Sequence, residues 1–360
     1  MRLLSIALLF AVGFHSANAQ VLPSAELGPP PLLPAGVESE SYAPDPPAIT
    51  TTISVNPANR YSVSLLYRNV YAAEDAVTNG WAGTVTPCNG GATASAYQNA
   101  TFERVNVFRT LAGLPGNVGA FGSPQQPDDQ AAALMMVANK MLNHTPPPGW
   151  TCYTPAGNDG ASHSNLTLGN GFNYNGATAI EGYMDDSGSG NSFVGHRRWI
   201  LYPAQANMAT GDVDATAATA GYSANALWVV GPFGTRAATP NGTPWPPNGY
   251  LPWQLLPSSS NRWSLSFPGA SFASAAVTMT KNGSPVTATI VENGAHDNLG
   301  YADNTLVWQP VGVSYAQPTQ DVLYHVAITG ITGSGAPTSV SYTVRVINPY
   351  DAIFADGAGD

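Results

Sequence analysis

The spacing of apolar residues changes once along this chain, and this change constrains the fold most. In the first half apolar residues recur at the spacing of an amphipathic helix, most clearly at Val63, Leu66, Tyr67, Val70 and Tyr71. Beyond residue 257 they alternate with polar residues, which is typical of half-buried strands. A helical half followed by an all-strand half predicts an α+β protein.

The length of 360 residues favours two domains, because single cores rarely grow so large. The region between the two patterns carries too many prolines for a central strand or helix. We therefore expect residues 51–235 to fold without the second domain. The full predicted division is a signal peptide (1–19), a proline-rich linker (20–50), a first domain (51–235), a proline-rich strap (236–257), a β-sandwich domain (258–350) and a tail (351–360).

Local signals place the individual elements. Helices are predicted from Asn56 as cap and Pro57 as first helical residue, around residues 94–111 with a stop at Gly113, from Pro127 to about Asn143, and over residues 176–186. Strands are predicted in "MATGDVDA" and "ALWVVG". The sequence "KNGS" at 281–284 predicts a hairpin, because Asn-Gly favours a type I′ turn.

The first twenty residues have the pattern of a secretory signal. Arg2 is followed by an apolar stretch and by small residues that end at Ala19. The alternative is a membrane anchor, but the stretch is shorter than the ~20 residues that a spanning helix needs. We therefore expect a secreted protein, extracellular or periplasmic after cleavage near Ala19, without a transmembrane segment.

Charge and cysteine content narrow the classes further. The formal net charge of −10 argues against nucleic acid as a partner, because a phosphate-backbone binder needs a basic patch. The chain has two cysteines, Cys88 and Cys152. In an oxidising compartment such a pair is most simply a disulfide bond, the alternative being two free thiols of which one is a nucleophile.

Cationic and titratable groups are concentrated in "NSFVGHRRWILYP", residues 191–203. His144, His163 and His196 all lie in the helical half at element ends or in loops, and Asp185 and Asp186 precede His196 by about one helix. Loop-borne histidines near carboxylates can converge on one cleft. The alternative is that these histidines are ordinary solvated polar residues.

The neighbours of His196 have predicted supporting roles. Arg197 and Arg198 are expected to brace the site by pairing with Asp185, Asp186 or Asp212. Trp199 is expected to anchor the segment in the core. The chain has no His-Glu-x-x-His, Gly-x-Ser-x-Gly or Cys-x-x-Cys motif.

Over residues 56–231 the order of motifs resembles the CAP superfamily of cysteine-rich secretory, antigen 5 and pathogenesis-related 1 proteins. "VNVFRTLAGL" is similar to the family's Asn-x-x-Arg helix through Asn106 and Arg109, and "MLNHTPPPGWTC" to its first histidine segment. "SNL", "AIEGYMDD" and "VGHRRWIL" follow in the family's order. The resemblance implies a three-layer α-β-α sandwich with a surface cleft, followed here by a small immunoglobulin-like β-sandwich.

The resemblance also implies a set of cleft residues. His144 and His196 match the family's paired histidines, and Asp186 takes the place of its second acid. Ser164 stands where the first acid is expected, and the adjacent Asn165 is kept. His163, which the family pattern lacks, either replaces that acid in part or is simply solvated.

Three functions follow as hypotheses. The first is a secreted module that binds a small molecule, a lipid, another extracellular ligand or a divalent cation such as Zn²⁺ through His144 and His196, with no organic cofactor. The second is a hydrolase that uses Ser164 or a metal-bound water. The third is a carbohydrate or adhesion module in which tryptophans of the second half form a stacking platform: Trp245, Trp253, Trp263 and Trp308. We favour binding over catalysis.

Overall fold

The structure is a computed structural model and describes residues 24–33 and 52–351. The predicted signal peptide, much of the predicted linker and nearly all of the tail lie outside the described residues. Within the described part the chain mixes helices and strands, in agreement with the predicted α+β class. No helix in these two ranges is both long enough and apolar enough to cross a bilayer.

The α-helices of the described residues all lie in the first half of the chain. The first, α1 (Arg60–Leu66), continues through a π-helical turn (Tyr67–Tyr71) into α2 (Ala72–Glu74). Asn59 caps it by accepting a hydrogen bond from the backbone of Ser62, so the prediction of Asn56 as the cap is wrong by three residues. The others are α3 (Ser95–Leu111), α4 (Gln125–Asn139), α5 (Pro155–His163), α6 (Gly176–Asp185) and α7 (Gly195–Ile200).

Two of the predicted helix ends can be compared directly. The helix α3 ends just before Gly113, which has a φ of 81°, as the sequence predicted. The helix α4 ends at Asn139 because Lys140 adopts a left-handed conformation, so it stops four residues before the predicted end at Asn143. The helix α5 was not predicted, although Thr154 caps it and Pro155 occupies its first turn.

A five-stranded sheet runs through the first half, in the order β1-β3-β5-β4-β2. Helices cover both of its faces, since Leu227 packs with α3, α6 and α7 whereas Ala226 packs with α4 and α5. At Gly211 a Cβ would lie 2.1 Å from the backbone of Asp129, so only glycine lets α4 approach the sheet so closely. The strands are β1 (Ser24–Leu27), β2 (Gly119–Ala120), β3 (Ser164–Asn170), β4 (Asn207–Val213) and β5 (Tyr222–Trp228).

The strand β1 corrects the predicted linker. It pairs antiparallel with β3, from Ser24 opposite Asn170 to Leu27 opposite Thr167. The described residues 24–33 therefore pack on the first half instead of spanning open space. Composition misled here because three consecutive prolines follow the strand, and prolines are compatible with a packed extended segment.

Two sheets make up the second half, in the orders β10-β9-β13-β14-β7 and β11-β12-β8-β6. They pack through Trp263 on Tyr324 and through the Trp308 indole N–H on the sulfur of Met279. The predicted hairpin is confirmed, since Asn282 and its following glycine both have positive φ between β9 and β10. The strands are β6 (Thr243–Trp245), β7 (Gly249–Pro252), β8 (Trp263–Phe267), β9 (Ala276–Lys281), β10 (Ser284–Val286), β11 (Ala288–Glu292), β12 (Asn304–Pro310), β13 (Val322–Thr329) and β14 (Ser339–Ile347).

The proline-rich region 236–257 is not a strap between two bodies. It supplies β6 and β7, each at the edge of one sheet of the second half. Edge positions tolerate proline because one side of an edge strand needs no ladder hydrogen bonds. The prediction that proline excludes a central strand therefore holds, whereas the prediction of a connector is wrong.

The two halves share one continuous apolar core. Trp245 is fully buried, and its ring meets that of Phe108 on α3 at 5.3 Å. Only the smaller core beneath α4 and α5 belongs to the first half alone. Because residues 51–235 by themselves would expose the larger core, we no longer expect them to fold as an independent domain.

Candidate functional site

The site centres on the corner between α6 and α7. Asp186 follows α6 with a φ of 55°, and Val194 precedes α7 with a φ of 49°, so the chain reverses and brings Asp186 against the start of α7. One oxygen of Asp186 accepts hydrogen bonds from the backbone N–H groups of His196 and Arg197, at 2.9 and 3.2 Å. The carboxylate thus caps α7 from outside the helix.

The second oxygen of Asp186 lies 2.8 Å from His196 Nδ1, and both side chains are fully buried. Asp186, which the resemblance places among the cleft residues, therefore lies within hydrogen-bond distance of His196. Because a carboxylate only accepts, this contact places the ring proton on Nδ1 and leaves the lone pair on Nε2. That Nε2 is buried and has no hydrogen-bond partner among the described residues.

Two further contacts fix the position of His196. Its ring stacks on Tyr183 of α6, with centroids 5.5 Å apart, and the Tyr183 hydroxyl donates to Asn225. Asn165 of β3 donates from its side-chain amide to the His196 carbonyl at 3.2 Å. The side-chain oxygen of Asn165 is a second buried acceptor for which the described part of the chain shows no donor.

His144 lies near His196 but has different partners. Its Nδ1 is 2.7 Å from the carbonyl oxygen of Ala161, and its Nε2 contacts the carbonyl oxygen of Pro29. Burial lowers the pKa of His144, and the hydrogen bonds to the two carbonyls act against this shift.

Ser164 and His163 do not join His196. The Ser164 hydroxyl donates to Asp129 at 2.7 Å, and the other oxygen of Asp129 accepts from the backbone of Trp228. Burial raises the pKa of Asp129 well above its usual value. His163 stacks on Trp228 at 4.4 Å and contacts the carbonyl of Asp159, so it does not replace the missing acid.

The arginines do not form the predicted carboxylate pairs with Asp185, Asp186 or Asp212. The Arg197 guanidinium donates to carbonyls at the end of α6 and to the carbonyl of Arg262 at 2.8 Å, and burial lowers its pKa to about 10. Arg198 reaches the second half, where it contacts Asp297 at 3.2 Å and Thr305 at 2.8 Å. The last carbonyl oxygens of a helix have no partner within the helix, so those at the end of α6 can accept from Arg197. The sequence does not show which side chain will donate to them.

Trp199 packs as predicted. It is buried on α7, lies parallel to Phe233 with centroids 6.0 Å apart, and donates its indole N–H to the carbonyl of Pro31 at 2.8 Å. With Pro29 on His144, this contact shows that residues 29–31 cover the site. His196 is accordingly buried and does not line an open surface cleft.

The residues of the Asn-x-x-Arg helix tie α3 to its surroundings. Asn106 exchanges two hydrogen bonds with the backbone of Val118. Arg109 donates to the carbonyls of Ile200 and Tyr202, at the end of α7, and burial lowers its pKa to about 9. Both side chains hold α3 in place and lack a role at His196 itself.

The divalent-metal site predicted at His144 and His196 stays a prediction. Zinc sites use at least three protein ligands, and no group of three or more His, Cys, Asp or Glu residues in the described ranges is arranged to hold a metal. His196 offers one free ring nitrogen, whereas the Nε2 of His144 is turned to Pro29.

The disulfide and the tryptophans complete the comparison with the sequence predictions. Cys88 and Cys152 are bonded, with Cα atoms 5.4 Å apart, which confirms the predicted pair. Trp245, Trp263 and Trp308 are fully buried, so they cannot form a sugar-stacking platform.

Comparisons of the chain with protein-family models, with curated proteins and with solved structures give no match. The resemblance to the CAP superfamily therefore depends on the order of motifs in the sequence alone.

Proposed function

We propose that the chain is an exported binding module of the CAP type, in which the Asp186–His196 pair forms the floor of a ligand site. The five-stranded sheet with helices on both faces supports the three-layer part of this proposal. The two packed sheets of the second half support the part of the proposal that concerns a small β-sandwich. The disulfide bond is compatible with an exported protein.

One observation carries the proposal: the Nε2 of His196 is a buried acceptor whose tautomer is fixed by Asp186 and which lacks a partner among the described residues. Leaving such a group unpaired costs about 1–3 kcal/mol. A ligand that donates an N–H or O–H group would recover this free energy. The side-chain oxygen of Asn165, whose amide donates to the His196 carbonyl, is a second buried acceptor without a donor among the described residues.

A hydrolase is the weaker alternative. An Asp–His pair with a free Nε2 is suited to act as a general base. It needs a nucleophile within hydrogen-bond reach, but the Ser164 hydroxyl donates to Asp129. Binding therefore explains the described contacts better than catalysis does.

The test follows the ring nitrogens of His196 by ¹⁵N NMR while small molecules, lipids, peptides and Zn²⁺ are added, beside an esterase and peptidase screen. We expect a ligand that shifts the Nε2 signal and is not turned over, and loss of its binding in His196→Ala. The matched control is His325→Ala, which replaces an exposed histidine on β13 of the second half that contacts Ser341. Turnover of an ester or peptide that is lost in His196→Ala would support the hydrolase instead.

A further inference from the structure

The site already holds an extended peptide, which is part of the chain itself. The strand β1 adds to the open edge of β3, and Gly28 donates the last main-chain hydrogen bond, to Leu166 at 3.4 Å. The chain then crosses the site as Pro29, Pro30 and Pro31. It leaves at Leu33, whose backbone donates to Gly300 of the second half at 2.9 Å.

Two of the contacts to the prolines are made to their main-chain carbonyl oxygens. His144 contacts the carbonyl of Pro29, and Trp199 donates to the carbonyl of Pro31. Between them the ring of Pro30 lies on Gly195, where a Cβ would come within 2.3 Å of the Pro30 Cγ. Proline-rich peptides in the polyproline II conformation bind in grooves lined by aromatic residues, and here Trp199 supplies an aromatic donor beside the contact of Pro30 with Gly195.

The chain's own segment is an incomplete ligand. Prolines have no N–H, so Pro29 to Pro31 cannot donate to the free Nε2 of His196 or to the side-chain oxygen of Asn165. The strand β1 lies at the edge of the sheet and pairs with β3 on one side only. The other side of the segment faces solvent, since Ala25 and Glu26 are exposed and Leu32 is 52% exposed.

From these contacts we infer that the groove between β3 and the start of α7 is a binding site for extended, proline-containing peptides of other proteins. In the free protein, residues 24–33 occupy the groove and compete with them. This inference rests on the proposed function and names its ligand class. The peptide adds a strand to β3, places a proline on Gly195 and presents carbonyls to His144 and Trp199.

The experiment uses the full chain and a fluorescent synthetic peptide with the sequence of residues 24–33. Pro30→Asp places a carboxylate in the buried contact on Gly195 and should release the chain's own segment. Leu32→Asp is the matched control, because that side chain is largely exposed. A tethered segment acts at an effective concentration in the millimolar range, so releasing it should lower the Kd of the added peptide at least tenfold relative to wild type and to Leu32→Asp.

A second substitution tests the place of binding. Gly195→Ala, added to Pro30→Asp, puts a Cβ where the proline ring of the peptide must lie and should abolish binding. The inference is overturned if folded Pro30→Asp does not bind the peptide, or if the double variant binds it equally well. A dimer of the wild-type chain that forms in place of peptide binding would also overturn it, because the groove would then belong to a second copy.

If Pro30→Asp does not fold, a protease site introduced between residues 34 and 51 and cut after folding gives the same information. Replacement of the freed segment by labelled peptide supports the inference, whereas a segment that leaves only on global unfolding overturns it. If a small molecule shifts the ¹⁵N signals of the His196 ring but the peptide does not bind, the peptide inference is overturned and the proposed function is not. If none of the added compounds shifts the ¹⁵N signals of the His196 ring, the proposed function is overturned.

Discussion

Asp186 is the residue whose replacement tests the site most sharply. Its carboxylate accepts from the backbone of His196 and Arg197 and from the His196 ring. Asp186→Ala leaves these three buried donors without an acceptor and puts alanine at a φ of 55°. An unpaired buried donor costs about 1–3 kcal/mol, and the left-handed conformation about 1–2 kcal/mol. Because water can enter the space and relieve part of the loss, we expect a destabilisation of about 4–6 kcal/mol.

Asp186→Asn tests the effect of Asp186 on the His196 tautomer separately from its capping of α7. Asparagine tolerates the left-handed conformation, and its carbonyl oxygen can still accept from the two backbone N–H groups. Its NH₂ group faces His196 Nδ1, so the ring proton must move to Nε2. We expect a loss of only about 1–2 kcal/mol in stability, together with loss of ligand binding at His196, because Nε2 no longer accepts.

Urea denaturation followed by tryptophan fluorescence measures the stability of both variants, and ¹⁵N NMR of the histidine ring identifies the tautomer. Asp159→Ala is the control, because that side chain is 52% exposed, and it should change stability by less than about 0.5 kcal/mol. A loss below about 1 kcal/mol in Asp186→Ala would refute the capping role. A proton that stays on Nδ1 in Asp186→Asn would refute the argument about the tautomer.

Three further predictions concern stability. Burial raises the pKa of Asp212 to about 6 from an ordinary 3.8, so its stabilising contribution is complete below pH 3.8 and is lost as the pH rises through 6. Asp212→Asn should remove this loss, a gain of about 3 kcal/mol at pH 7 that vanishes in urea denaturation near pH 4; parallel pH curves would contradict it. Replacing Cys88 and Cys152 by serine should lower the free energy of unfolding by about 2–5 kcal/mol, and an unchanged urea midpoint would argue against the bond. Trp199→Ala should cost about 3–5 kcal/mol and Trp199→Phe, which loses the donor to Pro31 and part of the indole ring but keeps an aromatic ring in the core, about 1–3 kcal/mol; equal losses would show that the remaining packing contributes little.

Local signals predicted the parts of the fold that local interactions determine. The helical period gave α3 and α4, and the Asn-Gly pair gave the turn between β9 and β10. The strand β1 could not be predicted in this way, because its pairing with β3 joins segments far apart in the chain. A short strand before three prolines has the composition of a linker, and only its partner makes it a strand.

In the candidate site, too, some features could be predicted from the sequence and others depend on tertiary contacts. The approach of Asp186 to His196 was predicted from the resemblance, but its capping of α7 depends on a reversal in which Val194 adopts a left-handed conformation. A β-branched residue rarely does so, and the sequence gives no sign of it. Ser164 lies beside Asp129 because α4 crosses the sheet there, which is a tertiary contact.

The two arginines after His196 explain why the second half matters to the site. Arg197 donates to the last carbonyls of α6 and to the carbonyl of Arg262 in the second half, while Arg262 donates back to the carbonyls of Asp186 and Gly188. The corner that carries His196 is therefore held from both halves. Because these guanidinium groups replace water at buried carbonyls, the tautomer and position of His196 depend on the second half being folded. The shared core and the site thus require each other, because the β half holds that corner in place.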